Sequence, residues 1–183
     1  MKTFLGEHHV VVFDADRCAH ELLEQDAGVA EAVRSAFGDS VFGADGKPDR
    51  LRLRDLVFAE SSRRQALEAI LHPVIRDRWF ELAAQSRESK TDLLVDLPLL
   101  FETAAETAFD RTIVVACSAS TQQRRLRENR GLDQSMVEKI IDAQLPLGAK
   151  IKKADHVVWN DSSISCLEAQ TRILSRWLTE YYG

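Results

Sequence analysis

Cysteine is scarce: Cys18, Cys117 and Cys166 are the only three in 183 residues, widely spaced and without a CxxC pair. That excludes a disulfide framework and a cysteine zinc site, and predicts buried free thiols. Proline is scarcer than usual, falling singly at positions 48, 73, 98 and 146. With no repeat and no Pro/Gly/Ser-rich linker, the 20.6 kDa chain is expected to form one domain with a substantial core. No apolar run approaches the roughly 20 residues of a membrane helix. The opening MKTFLGEHHV lacks the apolar centre of a signal peptide, so the expected compartment is cytoplasmic. Positive charge is also in deficit, at a net −5. This argues against a general nucleic-acid or membrane-surface binder and for a small partner. His8, His9, His20, His72 and His156 share no metal-ligand spacing.

What is present is a hydrophobic fraction of 45% arranged in short runs. Val10 to Phe13, Leu93 to Asp96, Thr112 to Ala116 and His156 to Trp159 are short runs rich in β-branched residues, apolar without alternation. Such runs predict strands covered on both faces, as in a parallel sheet between helices. The fold class that follows is α/β, doubly wound. Helical periodicity is predicted over Ala19 to Phe37, Ser62 to Leu71, Val74 to Ala84, Thr121 to Asn129, Gln134 to Ala143 and Ser163 to Tyr181. His72 precedes Pro73 and is expected at a bend between two helical pieces. The last helix presents Leu167, Leu174, Leu178 and Tyr181 on one face, toward the sheet.

Ligands of open α/β sheets bind beyond the carboxyl ends of the strands. Two of the four runs end in acid there: the first leads into Asp14-Ala15-Asp16, the second into Asp96-Leu97-Pro98-Leu99-Leu100-Phe101-Glu102. Carboxylates in that position suit Mg²⁺ held through water, or proton acceptance from a hydroxyl. The competing reading is an N-cap for the helix that begins near Arg17. A basic run follows at Gln122 to Gly131, with Lys150, Lys152 and Lys153 beyond it. Its guanidinium groups match phosphate oxygens, as a lid over polyphosphate requires; the alternative is a solvated helix face. The phosphate loop G-x-x-x-x-G-K-[ST] is not in the sequence. The one Gly-Lys pair, Gly46-Lys47, is followed by Pro48 and reads as a turn.

Taken in order, several segments resemble the dephospho-coenzyme A kinase family. They are Asp14-Ala15-Asp16 with Ala19-His20, Phe37-Gly38, Asp45-Gly46, Asp49-Arg50, Leu56-Val57-Phe58, and Leu67 to Arg76 with its LHPxIR core. The DxPLLFE segment from Asp96 to Glu102 comes next, and Thr121-Gln122, Arg125-Leu126, Ala143-Gln144, Pro146, Lys150, Ala154-Asp155 and Asn160 complete the series. The resemblance implies a P-loop-kinase-like parallel sheet flanked by helices. It implies one nucleotide-kinase-like domain over 1–183, with a lid at about 121–150. The implied reaction is ATP-dependent phosphorylation of the ribose 3′-hydroxyl of dephospho-CoA, the last step of coenzyme A synthesis, with Mg²⁺. Asp16 would be the catalytic acid-base group and, with Asp96, a ligand to Mg²⁺ through water. His72, Arg76, Leu99 and Glu102 would face the acceptor; Arg125, Arg130, Lys150 and Asn160 would serve the nucleotide and its lid.

Two departures from the family pattern stand out. Ile140, beside Lys139, occupies a position where many relatives carry arginine. The family's first strand and phosphate loop are also not matched. The expectation is therefore a sheet without its central first strand, and a chain inactive as written. The alternative is a non-catalytic homologue that binds a CoA-like nucleotide.

Overall fold

A computed structural model describes residues 10–182. They divide into two compact units, Val10–Pro98 and the segment from Leu99 onward. The fold is α/β with parallel strands in both.

The first unit opens with β1 (Val10–Asp14), paired in parallel with β2 (Asp92–Asp96) in the register Val10↔Asp92 through Asp14↔Asp96. Between them lie α1 (Ala15–Gln25), α2 (Ala27–Phe37), α3 (Arg50–Ala59) and α4 (Ser61–Ser89). The continuous helix expected from Ala19 to Phe37 is broken at Asp26. Its side chain accepts from the Val29 amide at 3.0 Å while its backbone is extended, so it caps α2 instead of continuing α1. Conversely, the separation into two helical pieces expected at His72 and Pro73 does not occur. One helix runs through Pro73, because Leu71, Ile75 and Trp79, at four-residue spacing across it, are all buried. Their packing outweighs the roughly 3 kcal/mol that an interior proline costs. Val29, Val33, Phe37, Val41 and Leu53 are among this unit's other buried apolar residues.

In the second unit β3 (Ile113–Ala116) and β4 (His156–Trp159) pair in parallel. The helices are α5 (Ala119–Arg130), α6 (Gln134–Asp142), α7 (Leu147–Lys153) and α8 (Ile164–Tyr182). Its core is Phe101, Val114 and Ala116, with Leu145, Leu147, Ile151 and Val157 packed on it. Asp155 ties the start of β3 to β4, accepting from the Thr112 amide at 2.7 Å and the Thr112 hydroxyl at 2.8 Å.

The strands are not covered on both faces. In β3, Val114 and Ala116 are buried while Val115, on the opposite face, is 52% exposed. Val11, Val12 and Trp159 are exposed as well. Among the described residues each sheet has two strands, so a residue that the pleat turns away from the packed side meets solvent. The thiols differ too: Cys18 is buried and Cys117 half-buried, but Cys166 is exposed on α8. In α8, Leu167, Leu174 and Leu178 are half-buried, whereas Tyr181 is exposed and rests on Trp177. No described helix is long and apolar enough to cross a membrane.

Candidate functional site

In the first unit the chemistry gathers at the carboxyl end of the β1–β2 pair. Parallel pairing in full register brings two apolar runs to their ends together, so Asp14 and Asp96 are direct neighbours. Asp14 also caps α1, accepting from the Arg17 amide at 2.9 Å; the capping role and the strand-end position belong to the same residue. Asp16 lies in the first turn of α1, exposed, and makes no hydrogen bond to a described residue. The three carboxylates share one field. The Asp96 carboxyl is raised above the ordinary aspartate range, first by partial desolvation and then by the charges of Asp14 and Asp16.

Among the described residues no three His, Cys, Asp or Glu side chains converge into a metal cage. A divalent ion here would be held as Mg²⁺ usually is, by one or two carboxylates and its own water. Asp16 and Asp96 fit that donor set: hard oxygens in a field negative enough to raise Asp96.

His72 and Arg76 sit one turn apart on α4, half-buried and exposed respectively, and neither bonds to a described side chain. Arg76 is therefore a cation available to an anion. A cavity of about 230 Å³ lies between α1 and α4, lined by Cys18, Glu21, Leu22, Gln25, Asp26 and Arg78; it contains none of the expected site residues.

The second unit holds the remaining expected residues, and it joins them in pairs. Leu99 and Glu102 lie in the turn after β2, where Thr103 returns its amide and hydroxyl to the Leu99 carbonyl. Glu102 Oε1 accepts from Lys150 Nζ at 2.9 Å and from the Leu145 amide at 2.8 Å, and Lys150 also donates to Gln144 Oε1 at 3.0 Å. Both side chains are about 85% buried, at 15% and 13% exposed. Burial alone would push Glu102 up; the bonds from Lys150 and Leu145 outweigh it and hold the carboxyl below its usual range. Glu102 and Lys150, expected in two separate roles, are thus bound to each other. Lys153 is engaged likewise, by Glu106 at 2.8 Å.

On α5 the basic run separates into two kinds of arginine. Arg124 pairs with Glu128 at 3.0 Å on the exposed face, the solvated arrangement. Arg125 is half-buried and donates to Asn160 Oδ1 at 3.4 Å, at the end of β4. The Asn160 amide in turn extends the sheet by donating to the Ala116 carbonyl at 2.7 Å. Arg125 and Asn160, which the resemblance assigns to the lid and to the nucleotide, are adjacent. Arg130 is the last residue of α5. Sequence reasoning passed over Asp161, which anchors the α5 cap by accepting from the Ser118 amide and hydroxyl at 2.8 Å. It also passed over the contact between His20 and Arg50, 2.7 Å apart.

The family model for dephospho-CoA kinase (CoaE) matches residues 1–165. The chain is 40% identical over 167 residues to the dephospho-CoA kinase of Methylococcus capsulatus, covering 91% of this chain and 83% of that one. It is 36% identical to that of Symbiobacterium thermophilum, covering 93% and 72%. Among solved structures, TT1252 from Thermus thermophilus superposes with a TM-score of 0.76 at 32% identity, over 100% of this chain and 90% of that one. The dephospho-CoA kinase from Campylobacter jejuni shares the fold, with a TM-score of 0.69 at 23% identity over 98% and 91%. With acid-ended parallel strands and an arginine-bearing helix already in place, these matches make the chain a member of the dephospho-CoA kinase family, a family of kinases.

Proposed function

We propose that the chain carries the acceptor-side and lid chemistry of an enzyme that moves the γ-phosphoryl group of ATP to the ribose 3′-hydroxyl of dephospho-CoA. The observation that carries this reading is the Asp14↔Asp96 register pair with Asp16 in the first turn of α1. The Asp16 carboxylate accepts the 3′-hydroxyl proton as that oxygen bonds to the γ-phosphorus. The bond from phosphorus to the bridging oxygen breaks, and ADP leaves. Arg76 and His72 face the acceptor; Arg125 and Asn160 serve the nucleotide. Mg²⁺, held through water by Asp16 and Asp96, would neutralise phosphate charge.

Phosphoryl transfer depends mostly on positioning and charge neutralisation, the work of a backbone cradle around the phosphates. No G-x-x-x-x-G-K-[ST] cradle occurs in these 183 residues. Among the described residues β2 pairs only with β1, and β3 only with β4. The reading therefore takes the 183 residues alone to bind acceptor without transferring phosphate.

The test is Asp16→Asn in a chain that carries the cradle. Turnover should fall by about 10²–10⁴-fold, the worth of a general base, with dephospho-CoA affinity nearly unchanged. Equal small losses in both would remove Asp16 from this role.

A further inference from the structure

Most arginines of the first unit are neutralised by a carboxylate: Arg17 by Glu21, Arg34 by Asp39, Arg52 by Asp49, Arg54 by Asp55, Arg63 by Glu60 and Arg64 by Glu68. Arg50 is not. It is the first residue of α3, and its neighbour Asp49 is spent on the Leu51 and Arg52 amides and on the Arg52 side chain. The one side chain that Arg50 meets is His20, with Nη2 2.7 Å from Nε2. A guanidinium only donates, so His20 Nε2 is the acceptor in this contact. The arginine charge is oriented but left uncompensated.

His20 lies four residues after Asp16 on α1, hence on the same helix face and about 6 Å further along the axis. The geometry points to Arg50 as a binding residue for a diphosphate on the acceptor nucleotide, with His20 as the positioning residue that aims its fork. This inference rests on the dephospho-CoA reading. In that acceptor the reacting 3′-hydroxyl and the 5′-linked diphosphate belong to one ribose. A carboxylate at Asp16, and an arginine held by the side chain one turn further along α1, match the two ends of that group. The planar fork suits two phosphate oxygens at once.

The test is equilibrium binding of dephospho-CoA to the 183-residue chain, with no ATP present. Arg50→Gln should weaken binding about tenfold, the scale of one charge-assisted hydrogen bond, and should flatten its dependence on salt. Arg50→Lys, which keeps the charge without the fork, should fall between. His20→Leu should weaken binding by about threefold or more, and His20→Gln, whose amide oxygen can accept from Arg50, should restore it. Arg87→Gln, in the last turn of α4, is the control for charge removal and should change nothing. The inference is overturned if Arg50→Gln binds within twofold of the unchanged chain, or if Arg87→Gln loses as much. If the unchanged chain does not bind dephospho-CoA, the parent reading fails and this one with it.

Discussion

Asp14 and Asp96 stand opposite each other as the last register pair of two parallel strands, with Asp16 entering the same field from the first turn of α1. Like charges gathered this way oppose folding, and a structure keeps them where a cation or a proton is to be handled.

The first prediction follows from the sign of that repulsion. An acid whose folded-state pKa is raised binds its proton more tightly folded than unfolded, so its contribution is present at low pH and lost as pH rises through the raised value. At neutral pH the Asp96 charge is a net cost. Asp96→Asn should therefore raise the melting temperature at pH 7 by about 1–2 °C, a small change because Asp96 is exposed and screened. The gain should vanish on acidification below the ordinary aspartate pKa of about 3.9. Turnover in a chain carrying the cradle should fall at the same time. Calorimetry across pH 3 to 7 checks the first part, and steady-state kinetics the second.

Glu102 predicts the opposite pH behaviour. Its carboxyl is held low, so the stability that it contributes is present above the ordinary glutamate pKa of about 4.3 and is lost as pH falls through the lowered value. Glu102→Gln leaves the Lys150 ammonium buried without its anion. It should cost about 2–3 kcal/mol, somewhat less than the 3–5 typical of a fully buried pair. Replacing both residues, Glu102→Gln with Lys150→Met, should recover part of the loss. Urea unfolding of the single and double variants at pH 7 measures this, and additive losses would show that the pair is not coupled.

Arg125 is the proposed lid residue with a defined neighbour. Arg125→Ala should raise the KM for ATP by about tenfold in a chain carrying the cradle and leave dephospho-CoA binding unchanged. Asn160→Ala, which removes its acceptor, should do the same to a smaller degree. An Arg125→Ala effect confined to dephospho-CoA would place this helix on the other substrate.

Much of this was legible in the sequence, and its limits have physical causes. β4 runs from His156 to Trp159 as read, and the other three strands differ from the reading by a single residue at one end, because β-branched runs between polar turns are unambiguous. The two acid-ended strands placed the carboxylates correctly, since parallel register aligns such ends. The break at Asp26 was not legible: Leu22 and Val29 are seven residues apart, so helical periodicity continues across it while the capping side chain decides locally. Pro73 misled in the other direction, because buried neighbours on both sides carry the helix through. Glu102 with Lys150, and His20 with Arg50, join residues 48 and 30 positions apart, and no local pattern announces such pairs.

The central claim is that these 183 residues hold acceptor and lid chemistry of a dephospho-CoA kinase without the phosphate cradle. Transfer of label from γ-labelled ATP to dephospho-CoA, measured for this chain and for one extended at its N terminus by a strand and a G-x-x-x-x-G-K-[ST] loop, tests it directly. The account predicts no transfer by the 183-residue chain, and turnover of about 1–100 per second for the extended one. Turnover in that range by the 183-residue chain alone would contradict it.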